Sequence, residues 1–407
     1  MNNSRLFTAS CVALIVTAMS FALRGAAAES WAAEFTLSNE QVGWINSTAF
    51  WGFTLAMVFG GPLCDALGMK RIVWLAFFGH AAGIALTIFA WDFWSLFAGT
   101  LLFGIANGSV EAACNPLIAT IYPNDKTTKL NHFHVWFPGG IVIGGLLSFA
   151  LAKADLGWKS QFASMALPLL VYGYLFFGQK FPRTERVASG ISTGAMYAAC
   201  VRPGFLLMVL CMMATAATEL GPMQWVPKIL ENAGVSGIIV LVWITGLMAV
   251  GRQFAGPFVH KLSPTGMLVA SALLSAAGLY LMSVTTGPML FASATIFAFG
   301  VCFFWPTMLG YVSENFPSTG ALGLAIMGGV GMLSAAYMVP LIGKLYDKGI
   351  AARLPDGAEL ASASAEIQSA AGLETLGQVA VVPLVLAVVF VALFVKTRGK
   401  ATTAHGA

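Results

Sequence analysis

The stretch GSVEAACNPLIATIYPNDKTTKLNHFHVWFPGG, Gly108 to Gly140, carries an acidic residue inside a long apolar run, and it decides the fold class. Glu111 precedes Asn115-Pro116, where we expect the helix to break, and a short polar loop then leads into a second apolar run. A carboxylate deep in an apolar segment is costly unless it faces a polar cavity or a partner. We therefore interpret the stretch as a helical hairpin that lines the route of a small polar solute.

The composition predicts an all-α integral membrane protein in contact with the lipid bilayer. The chain has 407 residues, of which 58% are hydrophobic and 9% charged, whereas soluble domains carry about 25% charged residues. Apolar runs of about 20 residues recur along the chain, and each is long enough to cross a bilayer as a helix. A β-barrel would show short alternating segments instead. The net charge of +4 gives no sign of a nucleic-acid partner.

Twelve apolar runs are predicted to be transmembrane helices. Most connections between them are a few residues long, and two are long, 180–202 and 343–376. The predicted spans are 6–28, 42–63, 71–90, 94–121, 132–152, 160–179, 203–227, 236–259, 265–284, 288–312, 320–342 and 377–396.

The distribution of basic residues predicts the orientation. With the N-terminus in the cytoplasm, thirteen of the 21 Lys and Arg residues fall in inside loops or tails, and six fall in outside loops. This asymmetry follows the positive-inside rule, and removing one early helix would invert every later loop. We expect a multi-pass protein of the plasma membrane, the inner membrane if bacterial, with both termini cytoplasmic. The segment 343–376 is expected to be a long outer loop, with or without a short surface helix.

The N-terminus imitates a secretory signal peptide, because Arg5 precedes an apolar run that ends in Ala26-Ala27-Ala28. Arg24 lies beside the cleavage site that this pattern would imply. A retained helix also keeps the number of spans even, so we expect the helix to remain.

Weak internal repeats predict two pseudo-symmetric halves. Phe59-Gly60-Gly61-Pro62-Leu63 ends the second span, and Phe254-Ala255-Gly256-Pro257-Phe258 ends the eighth. Two six-helix bundles with the solute site near the midplane are the architecture of many secondary transporters. We predict an N-terminal bundle over 1–179, a cytoplasmic linker over 180–202 and a C-terminal bundle over 203–407.

The loop GGPLCDALGMKR, Gly60 to Arg71, resembles the signature between the second and third helices of the major facilitator superfamily. The resemblance implies twelve helices in that family's fold. It also implies that Asp65 and Arg71 hold an inward gate through charge contacts. The basic residue that usually follows the Asp is replaced by Ala66.

Within that superfamily the chain resembles the fucose–galactose–glucose proton symporter family. The resemblance rests on EAACNP (111–116), KLNHFHVWFPGG (129–140) and FTLSNEQVGWINSTAFWGF (35–53). It implies that Glu111 lies in a sugar cavity and takes part in proton coupling, and that His134 occupies the place of a sugar-binding amide. That family's coupling Asp in the first helix has no counterpart here, since the nearest match is Gly25, beside Arg24.

Three further ionisable residues lie within the predicted spans. Glu219 precedes Gly221-Pro222, where we expect the seventh helix to break, so it is either a second proton or substrate group or a cap at the break. Arg24 is always charged and would pair with Glu111 or Glu219, hold a substrate carboxylate, or reach the interface. Arg252 is predicted to brace the cytoplasmic gate.

The predicted substrate-binding residues combine amides, which would bind hydroxyl groups, with aromatic rings, on which a sugar ring would stack. Any of these indoles would equally suit the lipid interface. The six Cys residues include no CxxC pair, and His132 and His134 do not share a helical face, so no metal site or cofactor is expected. The predicted set is Asn46, Asn115, Asn131, His134, Trp136, Gln224 and Trp225.

The resemblance favours a secondary transporter that moves a monosaccharide by alternating access, coupled to protons through Glu111, and that acts as a monomer. The alternative keeps the fold but changes the substrate to a small organic anion, such as a sugar acid, held by Arg24. A membrane enzyme or a sensor is the remote alternative, because the sequence lacks GxSxG, HExxH, Walker and DxDxDG patterns.

Overall fold

The computed structural model describes residues 2–37, 39–231, 237–355 and 357–404. Within these ranges the chain is helical, with short 3₁₀ turns at Pro317–Thr319 and Leu360–Ser362. The helices are α1 (Asn3–Glu34), α2 (Asn39–Leu67), α3 (Met69–Ile88), α4 (Phe93–Ile121), α5 (Lys126–His134), α6 (Trp136–Lys153), α7 (Trp158–Ser164), α8 (Ala166–Phe176), α9 (Glu185–Ala188), α10 (Thr193–Cys200), α11 (Pro203–Glu231), α12 (Gly237–Gln253), α13 (Ala255–Val284), α14 (Met289–Val301), α15 (Phe304–Asn315), α16 (Gly320–Ala351), α17 (Ala365–Val379) and α18 (Val381–Ala404).

The prediction of an all-α membrane fold is confirmed. Ten helical stretches in the described part of the chain are long and apolar enough to cross a membrane. The predicted span 160–179 corresponds to α7 and α8, which are separated at Met165, and the span 236–259 begins with the shorter apolar helix α12. Each of the other predicted spans overlaps one or two of the helices.

Two predicted helix breaks are wrong. α4 continues through Asn115-Pro116, and α11 continues through Gly221-Pro222. A proline removes only one backbone donor from a helix, and another group can replace it. In α4 the carbonyl that loses its donor to Pro116 is that of Ala112, four residues earlier, and it accepts a hydrogen bond from the Cys64 thiol at 3.3 Å.

A break does occur at a proline that the sequence analysis passed over. Pro306 cannot donate to the carbonyl of Cys302, four residues earlier, and the helix is interrupted there between α14 and α15. The Arg252 Nε donates to the Cys302 carbonyl instead, at 2.6 Å.

The segment 343–376, expected as a long loop with or without a short surface helix, is mostly helical. α16 extends to Ala351, and α17 begins at Ala365 after its N-cap Ser364 accepts a hydrogen bond from the Ile367 amide. At the other end of the chain, α1 runs past the predicted limit of 28 to Glu34. There the Lys159 ammonium donates to the Glu34 carboxylate at 2.6 Å, and this bond lowers the Glu34 pKa.

The chain contains two compact units, Met1–Val209 with Val312–Leu333, and Leu210–Tyr311 with Ser334–Ala407. In the first unit α2 packs closely on α4, because Gly104 and Gly108 leave no side chain between the two backbones. In the second unit α13 packs on α14 in the same way at Gly278 and Gly300. The predicted boundary at 180–202 stays a prediction.

Candidate functional site

Glu111 lies at the centre of a buried polar group in the first unit. Its side chain, 1% exposed, accepts a hydrogen bond from the Asn115 amide at 3.2 Å. The Asn115 carbonyl oxygen is 3.1 Å from the Nε2 of His134, which is also buried. Since the amide nitrogen faces the carboxylate, Nε2 is the donor to the amide oxygen. The structure therefore joins three of the predicted residues into one chain of hydrogen bonds between α4 and α5.

Arg24 is buried, and no carboxylate of the described residues forms an ion pair with it. Its guanidinium, 3% exposed, donates to the Thr48 hydroxyl at 2.9 Å and to the Thr100 carbonyl at 2.6 Å. Within the described ranges there are five ion pairs, and none includes Arg24. Neither of these contacts is the predicted pairing with Glu111, which lies in the same unit, and both oxygens that Arg24 contacts are neutral.

Glu219 and Arg252 form a buried ion pair in the second unit. The Glu219 Oε1 and the Arg252 Nη2 are 2.9 Å apart. Glu219 is not a cap, because α11 continues past it. The role of Arg252 at a gate stays a prediction, and the structure places its guanidinium between a carboxylate and the interrupted helix at Cys302.

Asp65 pairs with a segment that the sequence analysis treated as a linker. One carboxylate oxygen contacts the Arg186 Nε at 2.7 Å, and the other accepts a hydrogen bond from the Thr184 hydroxyl at 2.5 Å. Arg71, the other predicted gate residue of this loop, is exposed and takes no part in this contact. The only sequence signal of Arg186 is its positive charge, which most of the loops predicted to be cytoplasmic share.

Two more contacts join α5 to neighbouring segments at the same end of the unit. The Lys126 ammonium is 2.8 Å from the Glu185 carboxylate, and the Thr127 hydroxyl donates to the Glu314 carboxylate at 2.7 Å. We call the residues Asp65, Lys126, Thr127, Thr184, Glu185, Arg186 and Glu314 the polar cluster. Because they come from distant parts of the chain, no sequence pattern brings them together.

Breaking the polar cluster at Asp65 is expected to destabilise the protein. The side chains of Asp65 and Arg186 are only 2% and 10% exposed, and removing one partner of a buried pair leaves an uncompensated charge that costs about 3–5 kcal/mol. Asp65→Asn should therefore lower the melting temperature in detergent, measured by intrinsic fluorescence. The exposed Asp347 provides the control, since Asp347→Asn should leave it unchanged. Equal melting temperatures for the two variants would contradict the assignment.

The remaining predicted substrate residues come from both units, and each is described by its own contacts. Asn46 is partly exposed, and its Oδ1 has no hydrogen-bond partner among the described residues. The Asn131 amide donates to the Thr127 carbonyl within α5. Trp136 and Gln224 are exposed. The Trp225 indole donates to the Val339 carbonyl at 2.8 Å, so its polar atom is used in packing.

A buried histidine that the sequence analysis did not select lies in the same unit. His80 contacts the Tyr172 hydroxyl at 3.0 Å and the Asn107 Oδ1 at 2.9 Å, and the Asn107 amide donates to Ser20. These groups satisfy one another, so they tie α1, α3, α4 and α8 together. The described ranges hold no group of three His, Cys, Asp or Glu residues able to bind a metal ion.

Comparison with known proteins identifies the class. Residues 9–339 match the model of the Major Facilitator Superfamily, and the chain belongs to this family. It is 27% identical over 363 residues to the cis,cis-muconate transport protein of Acinetobacter baylyi, covering 83% of this chain and 86% of that protein. It is 29% identical over 269 residues to the 3-(3-hydroxy-phenyl)propionate transporter of Escherichia coli, covering 62% of this chain and 64% of that protein.

The fold is also that of a solved member of the family. The structure of the Escherichia coli fucose:proton symporter FucP aligns with a TM-score of 0.72 at 16% identity, covering 94% of this chain and 98% of that one. The protein is therefore a multi-pass membrane transporter of small molecules and not an enzyme, which confirms the predicted class.

Proposed function

We propose that this transporter carries a small organic anion and that Arg24 binds its carboxylate group. The observation that carries the proposal is the buried guanidinium, which is in none of the ion pairs of the described residues. Removing a charge from water is costly unless an opposite charge compensates it. A carboxylate substrate would supply that charge at the moment of binding.

The geometry of the Arg24 side chain leaves donors for such a substrate. Thr48 and Thr100 accept from Nη1 and Nη2, and the buried Nε has no hydrogen-bond partner among the described residues. A guanidinium has five N–H groups in a fixed plane and binds carboxylates through two parallel hydrogen bonds. The two threonine contacts fix the orientation of that plane.

The relatives support an anion over a monosaccharide. Muconate and 3-(3-hydroxyphenyl)propionate, which the two relatives are named for, both carry carboxylate groups. A neutral sugar would leave the Arg24 charge uncompensated. We therefore prefer the anion alternative to the monosaccharide that the sequence analysis favoured.

Several parts of the mechanism remain predictions: alternating access, coupling to protons, cytoplasmic termini, a plasma-membrane location and a monomeric state. Glu111 is suited to proton coupling by its burial within the membrane-spanning helix α4.

Counterflow in proteoliposomes tests the substrate class. Vesicles loaded with unlabelled compound would be diluted into the same labelled compound, using muconate, benzoate, galacturonate, glucose and fucose. We expect one or more of the carboxylates to exchange and neither neutral sugar to do so, because only an anion neutralises Arg24. Benzamide provides a neutral control that matches benzoate in shape. Exchange of glucose or fucose without any carboxylate would contradict the proposal.

A further inference from the structure

Three phenylalanine rings from three helices of the first unit pack together near Arg24. The Phe21 ring on α1 contacts the Phe50 ring on α2, with centroids 6.0 Å apart and an interplanar angle of 68°. It also contacts the Phe137 ring on α6, at 5.6 Å and 58°. All three side chains are partly exposed. We call them the phenylalanine cluster, and their exposed ring surface is available to a further planar group.

The phenylalanine cluster lies next to the polar groups of the candidate site. Phe21 precedes Arg24 by three residues in α1, and Phe137 follows His134 by three. The backbone of Val135, where α5 passes into α6, has helical angles, so the helical spacing holds there. Residues three apart are neighbours on a helix surface. The cluster therefore borders the buried guanidinium on one helix and the chain of hydrogen bonds that includes His134 on another.

The face of α1 above Phe21 is open. Gly25 follows Phe21 by four residues and so lies on the same face of the helix, one turn further along. Gly25 is exposed, and a Cβ atom there would meet no atom of the described residues within 4 Å. Arg24 is the preceding residue, and its buried Nε has no hydrogen-bond partner among the described residues. This space is thus bounded by an aromatic ring and adjoins an arginine that has a donor left.

We propose that the space at Gly25 binds the planar aromatic or conjugated part of the substrate and that the phenylalanine cluster selects such acids over saturated and hydroxylated ones. The inference rests on the proposed anion site at Arg24 and deepens it, because Arg24 would bind the carboxylate of the same molecule.

The chemistry of the phenylalanine cluster explains this selectivity. Aromatic rings attract one another in edge-to-face and offset arrangements, because the ring edge is positive and the face negative. A saturated ring of the same size would be buried equally but would lack this attraction. The hydroxyl groups of a sugar acid need hydrogen-bond partners when they leave water, and phenyl rings provide none.

Equilibrium binding of labelled benzoate to the purified full chain in lipid nanodiscs tests the selectivity. Unlabelled cyclohexanecarboxylate, galacturonate and benzamide serve as competitors. We expect benzoate to bind about twofold to tenfold more tightly than cyclohexanecarboxylate, and galacturonate to bind more weakly than either. Phe21→Leu should remove the preference for benzoate and keep the affinity for cyclohexanecarboxylate, which also shows that the variant is folded. Phe149→Leu, at a side chain 60% exposed on α6, should keep the preference.

A second variant fills the space directly. In Gly25→Leu the new side chain would occupy the place of the substrate ring, so benzoate affinity should fall by on the order of tenfold or more. Gly145→Leu is the matched control, because Gly145 is equally exposed in a membrane helix and a Cβ atom there would meet no atom of the described residues within 4 Å. It should bind benzoate as the unmodified protein does.

The outcomes separate this inference from the anion proposal. Equal affinities for benzoate, cyclohexanecarboxylate and galacturonate would overturn the inference alone, as would a benzoate preference that survives both Phe21→Leu and Gly25→Leu. Benzamide binding as tight as that of benzoate, and lost in Gly25→Leu, would reject the anion proposal and support the aromatic subsite. Absence of binding by all four compounds would overturn both.

Discussion

Replacement of Arg24 by glutamine is expected to abolish carboxylate uptake. Truncating one partner of a buried, hydrogen-bonded charge pair costs about 2–5 kcal/mol, which corresponds to affinity weaker by about 30-fold to several thousand-fold. Glutamine keeps an amide donor, but it has no charge to offer an anion. Uptake of the labelled carboxylate identified by counterflow, measured over a range of concentrations, provides the affinity.

Two further variants distinguish binding from folding. Arg24→Met should raise the melting temperature, because it removes a buried charge that the described residues do not compensate, and it should still abolish uptake. Arg353→Gln changes an arginine whose side chain is 34% exposed and should leave uptake unchanged. Normal uptake by either Arg24 variant would reject Arg24 as the anion-binding residue.

Gly108→Ala is expected to cause the largest loss of stability among single methyl additions in the first unit. A Cβ atom at this position would overlap the Phe53 carbonyl oxygen and would lie 2.8 Å from the Ala56 Cβ, so α2 and α4 would have to move apart. Overpacking of this kind costs about 1–3 kcal/mol. The melting temperature in detergent should therefore fall clearly below that of the unmodified protein.

Gly145→Ala is the matched control for this prediction. Gly145 lies within α6, and a Cβ atom there would meet no atom within 4 Å. Alanine also has a higher helix propensity than glycine, by about 1 kcal/mol. We expect Gly145→Ala to leave the melting temperature unchanged or slightly higher. An unchanged melting temperature for Gly108→Ala would contradict the close packing of α2 on α4.

The positions of the membrane helices could be predicted because length and hydropathy are local properties of the sequence. Where a proline would interrupt a helix could not be predicted, because at both prolines a distant side chain donates to the carbonyl that lacks a backbone donor, and yet the two outcomes differ. The Cys64 thiol donates to the Ala112 carbonyl, which has no backbone donor because of Pro116, and α4 continues. The Cys302 carbonyl, which has no backbone donor because of Pro306, accepts a hydrogen bond from the Arg252 guanidinium, and the helix is interrupted between α14 and α15.

The candidate site was predicted only in part, for a related reason. Glu111 and Arg24 could be selected because charged residues are rare in apolar runs, but the neighbouring sequence does not show which residues they contact. Asn115 contacts Glu111, and His134, 19 positions after Asn115, contacts the Asn115 amide oxygen. Arg24 contacts threonines from two other helices and not the acid that charge alone would select. The contact of Arg186 with Asp65 was missed because Arg186 lies outside every apolar run.

The hydrogen bond from Cys64 to Ala112 has a practical consequence for labelling studies. Site-specific fluorophores are usually attached after every native cysteine has been exchanged for alanine. In this protein, alanine at position 64 would leave the buried Ala112 carbonyl without its hydrogen-bond donor. Serine keeps an O–H at the same place. A background for fluorescence or spin-label work on this carrier should therefore use serine at position 64.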